Sequence, residues 1–303
     1  MKLKAIKTLF AIAFAVVCTS TANALEAYLS LENDSFLGTG HDDDYTHGTE
    51  LEFVTETGYH YMLSQTMYAP WDLSATEHTE KDRPYCGMLL GGVGYEFFQR
   101  PNTPWTHYGE LDFGVIGPAA MCAETQKFVH KVLGCRKPRG WHNQLHNEVV
   151  LNGQWWTKYN YFLTKYVALV PKAGIAVGTI EDFGEVGVDL KIGWNIRPTA
   201  NNEPIFSAPK GNVRWTKKLS AYAFVGASER FYVYNHILQG SMFNRKDRDL
   251  NADIESFVTE MRAGATVKYG RFYASYYAIF RTDEYKGQKY SPDFGGLIVG
   301  WNF

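Results

Sequence analysis

A histidine that can take a proton and a glutamine that can hold a partner, His130 and Gln126, stand four residues apart within 118–134. That stretch has helical spacing and a helix-stop glycine, Gly134. On a wheel of about 100° per residue, Met121, Val132, Thr125, Val129, Cys122 and Leu133 share an apolar arc. Glu124, Lys127 and Lys131 take the opposite arc, and Gln126 and His130 stack on the boundary. An imidazole so placed is a candidate general base. The plainer alternative is an amphipathic loop helix carrying an incidental histidine, and spacing alone does not choose between them.

A second cluster is made of oxygens. Asn33-Asp34 ends one alternating run, and Asp42-Asp43-Asp44-Tyr45-Thr46 opens the next. Two strand ends joined by a loop bring these groups together, and gathered carboxylate and amide oxygens suit a hard cation such as calcium. No EF-hand spacing occurs, and Asp42 and Asp43 read equally as a solvated loop, which makes Asp34 the better candidate. A third group, His142 and His146, falls in what the alternation predicts to be a strand. Four residues there span about 13 Å, so the pair is not expected to chelate one zinc ion. A serine nucleophile has no support either, since no Gly-x-Ser-x-Gly is present.

What must position these residues is a sheet. Residues 1–24 carry three lysines, an apolar run and Thr-Ala-Asn-Ala, the pattern of a signal peptide cleaved after Ala24, leaving 25–303 as one domain. Removing its three lysines from 30 basic residues leaves 27 against 32 acidic ones, a balance that argues against nucleic acid as partner. No later stretch reaches 18 uninterrupted apolar residues. The chain nevertheless holds 8 Trp, 20 Tyr and 19 Phe, and it ends in Leu297, Val299, Trp301 and Phe303 on one strand face with Gly296, Gly300 and Asn302 on the other. Large apolar residues outside and small or polar ones inside are what a transmembrane β-barrel requires, and aromatic girdles account for the Tyr and Trp. A soluble β-sandwich is the competing reading.

Twelve strands are predicted, at about 25–33, 45–57, 60–69, 85–98, 104–116, 142–157, 160–177, 182–195, 217–233, 256–270, 271–285 and 291–303. The expected fold is an all-β, 12-stranded antiparallel transmembrane barrel with a short helix in an extracellular loop. Connections at 57–59, 158–160, 179–180 and 269–271 are tight, as on a periplasmic side. Those at 38–44, 69–84, 117–141, 196–217 and 238–255 are long, as on an extracellular side. Cys122 and Cys135 flank the helix and are expected to pair in an oxidising envelope, with Cys86 a buried packing residue.

The chain resembles, over nearly its whole length, the outer-membrane lipid A 3′-O-deacylases. The resemblance is carried by Asn33-Asp34, Asp44-Tyr45-Thr46-His47-Gly48, Gln65-Thr66-Met67-Tyr68-Ala69-Pro70 and Asp82-Arg83-Pro84-Tyr85. It continues through Gly114-Val115-Ile116-Gly117-Pro118, Gln126-Lys127-Phe128-Val129-His130, Gly140-Trp141 and Asn143-Gln144. It implies a 12-stranded barrel whose site lies between the wall and a loop helix, facing the outer leaflet. It also implies a calcium-dependent, monomeric hydrolase that removes the 3′-linked acyloxyacyl group of lipid A in lipopolysaccharide. Carried over residue by residue, it makes His130 the base that activates water. Asn33, Asp34 and Thr46 become the holders of metal, water or substrate, and Gln126 the group that orients His130 or the ester.

Two departures stand out. The family pattern has a glutamate six positions after the histidine, where this chain has Arg136. It also has a Lys-Arg pair after the Tyr-x-Pro of strand three, where 71–79 holds no basic residue and only Lys81 and Arg83 follow. Lys127, Lys131, Arg136, Lys137 and Arg139 are alternative partners for lipid phosphates, or a solvated basic face. A non-catalytic channel or structural barrel with the helix as plug, and an outer-membrane phospholipase, are the rival functions.

Overall fold

Period-two alternation becomes a closed wall here because the first strand pairs with the last. The computed structural model describes residues 24–37, 44–78, 82–97, 104–196, 218–244, 246–247 and 251–303. The expected leader before Ala24, and Asp42 and Asp43, lie outside them. The strands are β1 (Ala24–Asn33), β2 (Asp44–Thr55), β3 (Tyr59–Ala69), β4 (Cys86–Phe97), β5 (Trp105–Ile116) and β6 (Glu148–Tyr159, continued by Tyr161–Phe162). They are followed by β7 (Val167–Gly178), β8 (Glu181–Trp194), β9 (Ser220–Asn235), β10 (Phe257–Tyr269), β11 (Phe272–Arg281) and β12 (Phe294–Asn302). Each pairs antiparallel with its neighbours, and Glu26↔Asn302 through Asn33↔Gly295 closes the ring. The expected twelve-stranded antiparallel barrel is the fold.

Two expectations change. β6 begins at Glu148 and not at 142, because 141–143 coil into a 3-10 turn. Asn143 Nδ2 donates to Thr76 O at 2.7 Å and Gln144 Nε2 to Trp141 O at 2.9 Å, which binds this segment to the neighbouring loop instead of a strand. The two histidines are therefore not strand residues; His146 Nδ1 meets Asp247 Oδ1 at 2.5 Å. The assignment of connections to the two ends also changes. Strand parity puts the tight turn at Thr179–Ile180 at the same end as the helix, where His236 N donates to Ile180 O at 2.8 Å. The β8–β9 connection leaves from the opposite end, and its residues 197–217 lie outside those described.

Alternation sorts the side chains as a bilayer demands. On β10, Phe257, Met261, Ala265, Val267 and Tyr269 face out, while Val258, Glu260, Arg262, Thr266 and Lys268 are buried in the lumen. Leu297, Val299 and Trp301 of β12 are likewise exposed and Ile298 is fully buried. No helix among the described residues is long and apolar enough to cross a membrane; the strands supply the apolar belt.

The lumen is filled by ion pairs. Arg262 binds Asp189 at 2.6 Å and Glu260 at 3.2 Å, and Arg281 binds Glu260 at 2.9 Å and Glu284 at 3.4 Å. Arg83 completes the chain, meeting Glu284 at 2.5 Å and Asp44 at 2.8 Å. A cavity of about 170 Å³ remains among them, and Ile180, Ile237 and Leu145 pack together at its helix-side end. Arg83 is 1 % exposed, so its loss takes a buried guanidinium from Asp44 and Glu284, of which Glu284 keeps Arg281. Arg83→Met should lower unfolding stability by roughly 3–5 kcal/mol, checked by the shift in heat-modified gel mobility against wild type.

Candidate active site

The helix of the first expectation exists as α1 (Cys122–Leu133), entered through a 3-10 turn at Pro118–Ala120. It ends on Gly134 in the left-handed region at φ 72°, with Cys135 N donating to His130 O at 2.9 Å. Its place follows from what it covers. Thr66, Tyr68, Met88 and Leu90 line the lumen cavity, so their neighbours Gln65, Met67, Ala69, Gly87 and Leu89 face outward. Those outward residues are the ones α1 and its lead-in touch. Gln65 Nε2 donates to Ala120 O at 2.7 Å, and Met67, Ala69, Leu89 and Val115 pack with Ala120, Cys122, Ala123 and Trp141. A Cβ on Gly87 would stand 2.6 Å from Cys122 Cβ, so glycine there permits the close seat. The helix thus lies on the outside of the wall, across the upper ends of β3 and β4.

This seat overturns the disulfide expectation. Cys122 points into the wall, its Sγ 3.3 Å from Thr66 O, while Cys135 is exposed beyond the helix end; both are free thiols, as is buried Cys86. Burial pushes the Cys122 thiol up to about 12.

The face turned to the wall is the boundary stripe. Cys122, Ala123, Gln126 and His130 are its buried residues, whereas the apolar arc around Phe128 and Val132 stays exposed. Trp141 Nε1 donates to Gln126 Oε1 at 2.6 Å, which fixes the amide with its Nε2 buried and without a hydrogen-bond partner among the described residues. His130 Nδ1 meets the backbone carbonyl of Arg136 at 2.5 Å. A carbonyl only accepts, so Nδ1 carries the hydrogen and a neutral ring keeps its lone pair on Nε2. The departure at 136 therefore costs the histidine nothing: position 136 orients it through main chain. The Arg136 side chain is exposed, 4.0 Å from Asp72. Arg136→Ala should change unfolding stability by less than about 1 kcal/mol, since only a weak exposed ion pair goes; heat-modified gel mobility against wild type checks this.

The oxygen cluster forms one strand over. Register pairs Asn33 with His47, and Asn33 Nδ2 donates to Thr46 O at 2.7 Å. The register of β2 against β3 shifts between Tyr45 and His47, a bulge that sets Thr46 beside Met67 and Tyr68, at the edge of the helix seat. Tyr45 turns into the lumen, its OH donating to Glu32 at 2.6 Å. Asp34 opens a 3-10 turn (Asp34–Leu37) and is buried, its Oδ1 accepting from Ser35 N at 2.7 Å. The Ser35 hydroxyl donates to Asn33 Oδ1. Asp44, grouped with these oxygens by sequence, is instead committed to Arg83.

Asp34, Asn33 and Thr46 thus come together, Gln126 and His130 come together, and adjacent strands carry the two halves. The donor set has the chemistry of a hard-cation site. All its atoms are hard oxygens, and Thr46 Oγ1 is buried with no hydrogen-bond partner among the described residues, as a ligand-facing hydroxyl would be. One carboxylate makes a site of low charge that would rely on water or substrate oxygens to complete its coordination. No group of three or more His, Cys, Asp or Glu side chains suited to a metal occurs among the described residues.

Two residues with large roles escaped a reading by chemical type. Trp141 clamps Gln126 and stacks 4.8 Å from Tyr85. Arg83, which entered only as part of the motif resemblance, is buried in ion pairs and lies between the rings of Tyr68 and Tyr285.

A closed antiparallel barrel with an apolar outer belt and a polar, ion-paired interior is the build of an integral outer-membrane protein. A family model described as outer membrane protein LpxR matches residues 6–303. The chain belongs to that family, in agreement with the resemblance read from its motifs. Among solved structures, LpxR from Salmonella typhimurium is 20% identical and aligns with a TM-score of 0.80 over 92% of this chain and 100% of its own, which shows the same fold. The translocator domain of the autotransporter NalP from Neisseria meningitidis, 10% identical over 98% of each chain, reaches a TM-score of only 0.47. No match is found among curated proteins.

Proposed function

We propose that this protein is a calcium-dependent lipid A 3′-O-deacylase that hydrolyses the 3′-linked acyloxyacyl ester in the outer leaflet, acting as a monomer. The observation that carries the reading is the placement of His130. Its ring is oriented by a main-chain carbonyl and buried on the helix face whose Cys122 and Ala123 pack on outward residues of the wall. A base in that position serves a substrate that is itself a membrane lipid. Family membership and the motif resemblance support the same substrate.

His130 Nε2 takes a proton from water as the water oxygen attacks the ester carbonyl carbon. The tetrahedral species then expels the sugar 3′-oxygen, which recovers the proton from the imidazolium, leaving free acid and 3′-hydroxyl with no acyl-enzyme. Asp34, Asn33 and Thr46 would hold calcium, which when bound supplies the positive charge that stabilises the developing oxyanion. Gln126 Nε2, pointed by Trp141, donates to water or to the ester.

Mass spectra of lipid A from cells expressing the protein test the reading. Loss of the 3′-acyloxyacyl mass that a calcium chelator prevents is expected. Unchanged lipid A in a calcium-replete membrane overturns it, and loss of phospholipid acyl chains with intact lipid A would assign the protein as a phospholipase.

A further inference from the structure

Once the wall-facing stripe of α1 is known, the rest of the helix divides into two unlike flanks. The buried residues Cys122, Ala123, Gln126 and His130 centre the wall face. At about 100° per residue, Val129 and Leu133 fall to one side of it, and Lys127, Lys131 and Glu124 to the other. Phe128, Val132 and Met121 point straight away from the barrel. All eight are exposed, Phe128 and Leu133 by 68% and 70%. An apolar arc left bare on a soluble loop has no reason to persist. Here it adjoins the outward faces of β3, β4 and β5, which the bilayer covers. Cys122, on the same side of the helix as Val129 and Leu133, rests on Thr66 and Gly87, below the rim of the wall.

Charge points the same way. Three more exposed basic residues, Arg136, Lys137 and Arg139, follow Gly134 in the chain. Among the described residues of the loop between β3 and β4, Arg83 is buried and paired and so does not compete for an anionic head group.

We propose that α1 lies in the plane of the outer-leaflet interface, with Val129, Val132 and Leu133 among acyl chains and Lys127 and Lys131 on head-group phosphates. The helix then selects phosphorylated glycolipid and sets its depth at the site. The proposal rests on the reading above for the identity of the lipid, but it is tested by depth and binding, so it can fail while hydrolysis stands, and the reverse.

Spin labels at positions 127, 129, 131 and 133, each on a Cys135→Ser background, are measured in phosphatidylcholine proteoliposomes. Collision with oxygen should dominate at 129 and 133, and collision with a water-soluble nickel complex at 127 and 131. Four water-accessible sites would overturn the interfacial placement. In the second arm a fluorophore on native Cys135, the exposed thiol among the described cysteines, reports energy transfer to acyl-labelled bis-phosphorylated lipid A diluted in phosphatidylcholine. Lys127→Gln/Lys131→Gln should weaken that lipid's binding roughly 30-fold, the effect of two cations near an anionic surface. The doubly dephosphorylated lipid should bind weakly and be unaffected. Equal binding of both lipids to wild type, or an unchanged affinity in the double variant, sinks the phosphate assignment.

Discussion

His130→Ala is expected to lower ester hydrolysis by roughly 10²–10⁴-fold, the usual contribution of a positioned general base, while the barrel folds and inserts normally. The expectation rests on two facts about the ring. It sits at the wall-facing side of α1, and its Nδ1 hydrogen is taken by the Arg136 carbonyl, which leaves Nε2 the basic nitrogen. The seat of the helix does not depend on the imidazole, because Cys122, Ala123, Trp141 and the β3–β4 residues pack without it. Heat-modifiability should therefore match wild type. An alanine variant that retains full activity would remove His130 as the base.

The second large effect concerns Asp34. Asp34→Ala should reduce the rate by about 10²–10³-fold, comparable with removing a principal oxyanion stabiliser, and should abolish the response to added calcium. Wild-type protein stripped with a chelator should show the same loss, regained on adding calcium and not magnesium. Magnesium demands a tight octahedron, which a cluster of one carboxylate, an amide and a hydroxyl on two separate strands is poorly shaped to give. Full activity in chelator would overturn the metal assignment while leaving the histidine untouched.

The fold was legible because a bilayer enforces alternation strictly: β10 and β12 put every large apolar residue where the pattern placed it. The site residues were legible in kind. Asn33, Asp34, Thr46, Gln126 and His130 could be named from motif and helical spacing, and register then brings the first three together. What failed has local causes. Residues 140–147 alternate well enough to look like strand, but side-chain bonds to the neighbouring loop bend them into a turn. Cys122 and Cys135 bracket the helix in sequence, yet the first belongs to the wall face and the second lies beyond the cap. Asp44 looked like a calcium ligand because nothing in sequence reveals Arg83 waiting across the rim. Trp141 stood in the sequence only as part of a motif because an indole has no obvious chemistry, although one N–H bond decides which way the Gln126 amide points.

The ion-pair chain inside the barrel also bears on how the ring is completed. Asp44 and Arg83 come from the first third of the chain, whereas Glu260, Arg262, Arg281 and Glu284 come from its last third, with Arg83 and Glu284 201 residues apart. A sheet still open between β1 and β12 would part Arg83 from Glu284, while the pairs within each third stay made. That one pair thus couples seam closure to the joining of two charge networks that are otherwise complete on their own sides. The finished ring has no inexpensive way to unzip from its ends.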